Sequence, residues 1–424
     1  MQPKETLRFA GDVTIEKVQI TSQSGFYQDV SSQVIGIQIF EDLLSPFITG
    51  TLVLKDSLDL ANLFPFVGEE YLHLKLRTPT LKVGNIDQKF YIYKMTDRQM
   101  NGDRSVVYQL HFIAQEALID MNKAISKTFS GKVSDIAKTL MTDRVNGLQI
   151  KTNYVIEETS NSTKYVSNFW SPIRNLIYLL ENSKNKTNTP SYVFFQNRDG
   201  YNFVSLETLY KQQNIQQFKY DNYSRDVTPN GSVMNPEEDY KRILGIRIPQ
   251  AFDYMDRIQN GFYGSRQYTY DIVSKKRSST NYDMLQNYKS KAHLNENPPA
   301  SSKVVYRYNS KITNEPKYYN NFSNFGDVTN TSFNQERTSL LKQAESTKIE
   351  ITVPGRFDYT VGRRVFVKLN KVEPVSKNDK SNIDNMFSGN YIVSAINHFI
   401  SHKGHECTLE LIKDSLLVNL DGKK

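Results

Sequence analysis

Three histidines and the single cysteine crowd one C-terminal stretch, at His398, His402, His405 and Cys407. Imidazole nitrogen and thiolate sulfur are the ligands zinc favours. The spacing argues against a zinc site. There is no second cysteine, no paired Cys-x-x-Cys, and the group straddles a turn centred on Lys403-Gly404. The pattern reads as a solvated hairpin turn without metal, with His402 and His405 left to face a protein partner. Two acidic clusters, Glu69-Glu70 and Glu237-Glu238-Asp239, invite comparison with the carboxylate pair of a glycosidase. That chemistry needs two carboxylates roughly 5–9 Å apart across a cleft. Neighbours on a strand point to opposite faces, so these clusters read as surface charge. No Gly-x-Ser-x-Gly elbow, phosphate-binding loop or His-Glu-x-x-His pair occurs. The sequence therefore points to no catalytic residue, no cofactor site and no enzyme.

The composition narrows the class further. The chain has 424 residues, enough for two to four domains. Apolar residues make up 38% and aromatics 12%. A disordered chain would lack the rings. Abundant Tyr and Asn suit strands, turns and wetted contact surfaces. The net charge of +8 is spread along the chain rather than gathered on one segment, so sequence-specific nucleic-acid binding has no footprint. One cysteine excludes an intrachain disulfide and suits a reducing compartment. Met1–Ala10 lacks the apolar core of a signal peptide, and no run approaches the ~20 apolar residues of a membrane span. No stable membrane insertion is expected.

The elements that must carry any function are mostly strands. Alternation predicts them at Val13–Ile20, Val34–Ile39, Thr51–Leu54 and Tyr71–Arg77, where Leu72, Leu74 and Leu76 share a face. Phe90–Met95 and Val106–Ile113 flank Asn101-Gly102, a tight-turn signal. From Glu116 to Met141 the period lengthens, and Ile125, Phe129, Val133, Ile136 and Leu140 suit a helix. A second helix is predicted at Pro172–Asn182, preceded by Phe169 and Trp170 as buried anchors. Strands follow at Tyr192–Gln196 and Phe203–Leu206 around Arg198-Asp199-Gly200. Asp226–Pro236 reads as a linker, Ile243–Ile248 as a strand or short helix, and Arg337–Ser346 as a helix. Strands return at Ile349–Val353, Val365–Leu369, Tyr391–Ile400 and Cys407–Ile412. These segments divide the chain into a first strand-rich domain at 1–118 and an α+β domain at 119–225. A second strand-rich domain is split between 236–273 and 347–417 by a polar lobe at 274–346, with a basic tail at 418–424.

The two strand-rich regions share an order of features. Val67-Gly68 is followed by Glu69-Glu70 and a strand; Val361-Gly362 is followed by Arg363-Arg364 and a strand containing Phe366. A long hairpin closes each region, around Asn101-Gly102 and around Lys403-Gly404. The reading is a duplication. The expected fold is mainly β with α+β inserts, built on two similar small antiparallel β-barrel domains that form a tube-like ring, plus peripheral domains. Three copies would then set six similar domains around one axis. Opposite charges at matching places, Glu69 and Glu70 against Arg363 and Arg364, would alternate the two kinds of domain around that ring. Gly68, Leu74, Gly362 and Phe366 would shape the same surface.

In this order the segments resemble the central hub protein of T4-like contractile-tailed bacteriophage baseplates. The resemblance spans roughly residues 30–260 and 340–417. It is carried by Gly50-Thr-Leu-Val-Leu-Lys-Asp-Ser57, the Val67-Gly68-Glu69-Glu70 strand and Phe169-Trp170-Ser171-Pro172. Tyr192–Phe195 with Tyr201–Val204, and Gly389-Asn390-Tyr391-Ile392-Val393, complete it. It implies a structural virion protein, a homotrimer assembled in the host cytoplasm. That trimer joins the six-fold tail tube or tube initiator to the three-fold central spike and lets DNA pass without specific binding. The tape-measure and baseplate wedge proteins are its implied outer neighbours, the polar lobe being the segment least like the family. Two other classes compete: another tube-end adaptor or spike-associated protein of a contractile injection machine, and a carbohydrate-binding receptor module suited by the Tyr and Asn content.

Overall fold

The computed structural model describes residues 7–58, 60, 66–81, 85–102, 104–220, 236–270, 275, 277–303, 310–313, 333–371 and 383–422. The first strand-rich region contains β1 (Thr14–Thr21), β2 (Tyr27–Asp29), β3 (Val34–Asp42), β4 (Thr49–Asp56), β5 (Tyr71–Arg77), β6 (Ile86–Met100) and β7 (Val106–Ala114). Alternation sets their faces. Leu72, Leu74 and Leu76 are fully buried, and so are Leu52, Leu54, Leu110 and Phe112 on the strands beside them. The Asn101-Gly102 turn forms as expected, with Gly102 at φ 72° and the Asn101 N–H donating to the Ser105 carbonyl.

The middle region starts with a short helix at Gln115–Met121 and then departs from expectation. Ile125 and Phe129 lie on β8 (Ile125–Lys132), and only from Val133 does helix α1 (Val133–Thr142) begin. The intervening Ser126, Thr128, Ser130 and Gly131 disfavour helix, and the backbone of this stretch pairs with the later β10. After β9 (Tyr154–Ile156) and β10 (Ser162–Trp170) comes α2 (Pro172–Glu181). Ser171 caps it through the Arg174 N–H, and Pro172 occupies its first turn. Trp170 packs on this core beside Tyr165 and Tyr178. Phe169 does not. A bulge after Asn168 puts it at φ 55° with its ring 71% exposed. The hairpin of β11 (Tyr192–Asn197) and β12 (Gly200–Ser205) turns at Arg198-Asp199.

The second strand-rich region holds β13 (Gln217–Lys219) and β14 (Gly245–Gln250). β15 (Gly264–Tyr270) lies ahead of the expected start of the polar lobe at 274 but pairs with the lobe's strands β16 (Arg277–Asp283) and β17 (Ser310–Thr313), and helix α3 (Asn334–Ala344) follows. Then come β18 (Thr347–Pro354), β19 (Arg364–Lys368), β20 (Gly389–Ser401) and β21 (Gly404–Lys413). The lobe has a small core of its own around Phe262, Tyr263, Met284 and Tyr288. The linker read at Asp226–Pro236 lies almost wholly outside the described residues.

One sheet of 13 strands runs in the order β14-β18-β21-β20-β3-β4-β7-β6-β5-β1-β2, with β19 and β13 branching from β20. This overturns the expected pair of closed barrels forming a tube-like ring. The fold is mixed α/β and dominated by strands, and among the described residues no sheet closes on itself. The cause is the role of β3. It pairs with β4 on one side and with β20 on the other, so its second edge welds the two regions into one open sheet.

The duplication itself is legible in that sheet. The order β3-β4-β7-β6-β5 in the first region is repeated as β14-β18-β21-β20-β19 in the second. Each long hairpin carries a bulge at the same place, between Ile92 and Lys94 and between Val393 and Ala395. Hydrogen bonding shifts the Val-Gly match by one residue. The Ile92 N–H donates to the Glu70 carbonyl and the Val393 N–H to that of Arg363, so Glu70 corresponds to Arg363 and Leu72 to Val365.

Candidate functional site

The junction between the two regions is where the fold does something a single region could not. Residues Gly36–Asp42 of β3 pair with Ala395–Ser401 of β20 in unbroken antiparallel register, Ile37 facing Ile400 and Ile39 facing His398. All four of these side chains are buried. Alternation places Ile37, Ile39 and Glu41 on one face of β3 and Ile396, His398 and Ile400 on the matching face of β20.

Glu41 is the polar member of that layer. Its carboxylate accepts from the Thr360 hydroxyl and from the Val361 N–H at 3.1 Å. Burial pushes its pKa up to about 7 in spite of these bonds. Next to it, His398, His405 and Cys407 form a triangle. His398 Nδ1 lies 3.0 Å from His405 Nε2, and Cys407 Sγ lies 3.2 and 3.3 Å from those atoms. All three are buried, which corrects the solvated-turn reading; only His402, on the tip of the hairpin, is exposed. Cross-strand pairing explains the convergence. His398 sits directly opposite Cys407, and His405 precedes Cys407 by two positions on the same face. The ring of Phe357 covers His405 at 4.4 Å between centroids.

Among the described residues this is the group whose donor atoms converge as metal ligands would, all within 4.8 Å. Its protonation is that of a neutral hydrogen-bonded triad. Burial, with help from the Arg198 charge, lowers the His398 pKa to about 3, and burial with the neighbouring His398 lowers that of His405. Burial raises the thiol of Cys407 above its ordinary range. A metal would need the thiolate.

The other residues singled out from the sequence scatter. Leu74 is fully buried in the first core, and Phe366 is half-buried between β13 and β20. Gly68 and Gly362 both turn the chain at positive φ, 88° and 81°. The Glu70 carboxylate accepts from the N–H groups of Val67 at 2.8 Å and Gly68 at 3.0 Å, fixing that turn from inside the chain. Glu69 stays exposed. Arg363 reaches Asp199 at 2.8 Å, and Arg364 donates to the carbonyls of Tyr210 at 2.7 Å and Gln212 at 3.2 Å. Glu70 and the two arginines therefore already have partners within one chain. Glu70→Ala should remove two hydrogen bonds to a carboxylate and cost about 1–3 kcal/mol. A urea-unfolding midpoint unchanged from that of the parent protein would refute this role for Glu70.

A motif that bears on the junction was missed in the sequence. Val34-Ile35-Gly36-Ile37-Gln38-Ile39 recurs as Ile243-Leu244-Gly245-Ile246-Arg247-Ile248. The structure sets the two stretches at equivalent places. Ile37 faces Leu52, which faces Leu110; Ile246 faces Ile351, which faces Leu409. The second copy precedes β18 by nearly a hundred residues because the polar lobe intervenes, which hid it from a comparison anchored on the Val-Gly pairs.

No protein-family model matches the chain. A probable baseplate hub protein, gp334 of Vibrio phage KVP40, is 22% identical over 412 residues, covering 92% of each chain. The 43 kDa tail protein of prophage MuSo2 from Shewanella oneidensis has the same fold, with a TM-score of 0.58, 9% identity, and coverage of 94% of this chain and 99% of that one. So does the tail protein from Neisseria meningitidis MC58, with a TM-score of 0.55, 12% identity, and coverage of 94% and 96%. These are structural tail or baseplate proteins, in keeping with a non-catalytic role. At low identity the chain is homologous to a probable phage baseplate hub protein and has the fold of tail proteins, which supports a general identity as a structural tail or baseplate component.

Proposed function

We propose that this protein is the central hub subunit of a contractile-tail baseplate, three copies of which close a ring between the tail tube and the central spike. The supporting observation is the duplicated strand order, with its two regions joined edge to edge by β3 and β20. A unit used twice per chain gives three copies six similar units, so one ring can face a six-fold tube on one side and a three-fold spike on the other. The similarity to a probable hub protein over nearly the whole chain supports the same reading. On it, the divisions at 1–118, 119–225, 236–273 with 347–417, 274–346 and 418–424 separate ring-forming parts from outward ones. The polar lobe is then the part turned toward peripheral baseplate proteins, and DNA crosses the ring without specific contacts.

The test is an image of the tail bearing a tag after Asp421. Three tag densities at the junction of tube and spike are expected. Density elsewhere in the particle, or six copies at that level, would overturn the reading.

A further inference from the structure

The duplication leaves an imbalance between equivalent strands. In the second region, the distal half of β20 is paired on both sides, with β21 and with β3. Its counterpart, Lys94–Met100 of β6, pairs with β7 alone among the described residues. In the first region β3 is likewise paired on both sides, whereas its counterpart β14 pairs, among the described residues, only with β18. One chain thus holds one completed junction and the two unmated halves of a second.

Exposure follows the same division. Ile39 is 2% exposed on β3, and its counterpart Ile248 is 41% exposed. Ile400 is fully buried on β20, and its counterpart Met100 is 72% exposed. The backbones match up to a bulge at Ile248 and Pro249 of β14 and a second at Asp97 and Arg98 of β6, where β3 and β20 run regular. β6 and β20 share the bulge that turns their distal halves away from β5 and β19, at Tyr93 and at Ser394. β3 and β14 share the Gly-Ile-x-Ile stretch. An unpaired strand edge is a template for another strand, and here the chain itself contains the matching piece.

We propose that the distal half of β6 pairs antiparallel with β14 of a second copy of this chain, repeating between molecules the junction that β20 and β3 make within one. The inference rests on the hub reading and names the surface through which its ring closes. The register follows from the internal junction, where Ile400 faces Ile37 and Phe399 faces Gln38. Met100 then faces Ile246 and Gln99 faces Arg247, with the extra residue of the bulge at Asp97 and Arg98 lying across from Ile248. Pro249, which has no N–H to give, marks the end of the pairing. The contact is head-to-tail, because each copy offers β6 to one neighbour and β14 to the other. Such contacts close rings when the rotation between copies closes. Lys94, Asp97 and Arg98 along the β6 edge supply the charges that keep an unmated edge soluble.

The test uses cysteines at the facing positions. Met100→Cys and Ile246→Cys are combined in one full-length chain and treated with a short bis-maleimide. Gln99→Cys with Arg247→Cys gives a second pair, one register step away. Within one chain the two edges are seven strand-to-strand steps apart, on the order of 30 Å, beyond the linker. Cys407 is fully buried and gives no background. The double variant should form covalent products of two and three chains and nothing larger, and each single variant should stay a single chain. Mixing the two single variants should give a product of two chains, which covers a double variant that fails to fold. An oligomer of normal mass that cross-links at neither pair overturns this pairing and leaves the hub reading intact. A chain present as single copies in the intact tail overturns both.

Discussion

Gly50→Ala should be a severely damaging single-methyl change. Gly50 lies mid-strand on β4, opposite Phe112 of β7 and Ile39 of β3. A Cβ there would stand 2.2 Å from Phe112 Cζ and 2.4 Å from the Gln38 carbonyl oxygen. Neither neighbour can give way cheaply. The Phe112 ring is fully buried and packs on Phe90 at 4.9 Å between centroids, and Gln38 belongs to the backbone that β3 shares with both β4 and β20. Overpacking of a rigid core costs 1–3 kcal/mol and more where backbone must move, so a loss above about 3 kcal/mol is expected. Gly36→Ala is the control. Its Cβ would meet the Ile400 carbonyl at 3.6 Å and a Phe399 ring carbon at 3.8 Å, ordinary contact distances, and should cost under about 1 kcal/mol. Equal unfolding midpoints for the two variants in urea would show that the β4 clash is relieved by a movement this account does not include.

The same neighbourhood shows what the sequence could and could not convey. Period-2 alternation located most strands of the large sheet, because each has one buried face: Leu72, Leu74 and Leu76 announce theirs without help from any neighbour. Helix α2 was equally clear, since Ser171 and Pro172 supply a cap and a first-turn proline locally. Pairing is not local. Whether β3 has one partner or two depends on β20, more than 350 residues away, and nothing in Val34–Asp42 distinguishes a barrel edge from a weld between regions. Closed barrels were therefore expected where one open sheet exists. The duplication was read from Val-Gly pairs whose true register is offset by one residue, and the better marker, Gly36-Ile37-x-Ile39 against Gly245-Ile246-x-Ile248, was overlooked. The histidines went wrong for a related reason. A turn at Lys403-Gly404 suggests solvent, yet only His402 sits on its tip; His398 and His405 lie on the inward face of the strands on either side. Glu41 offered no signal at all, because its burial comes from Thr360 and Val361 of the other region.

That buried layer carries a large part of the pH response between pH 6.5 and 4.5. Stability should fall steeply as the solution is made acidic, starting near pH 6.5. His398 has its pKa lowered to about 3 in the folded chain, and that of His405 is lowered as well. Unfolding releases both to an ordinary value near 6.5. Below that pH the unfolded chain binds protons that the folded chain refuses, so folding weakens as pH drops, by about 1.4 kcal/mol per unit for each histidine. Glu41 works in the opposite sense. Its folded pKa of about 7 lies above the ordinary 4.5, so between those values the folded chain holds a proton that the unfolded chain has lost. Acidification therefore relieves the penalty of Glu41 until pH 4.5 and does nothing further below it. Two histidines outweigh one carboxyl. From this layer the net loss is on the order of 1 kcal/mol per unit from pH 6.5 to 4.5 and roughly twice that below it, where the carboxylates of Glu207 and Glu158, both held down to about 2, add losses of their own. Urea midpoints from pH 7.5 to 3.5 would trace the break in slope. Glu41→Gln removes the opposing carboxyl and should move the steeper slope up to begin near pH 6.5. His398→Phe should make the slope below pH 4.5 shallower than that of the parent protein. A parent protein whose midpoint stays flat from pH 6.5 to 4 would mean that the two imidazoles are charged or solvated in the folded chain, and the neutral triad with Cys407 would have to be abandoned.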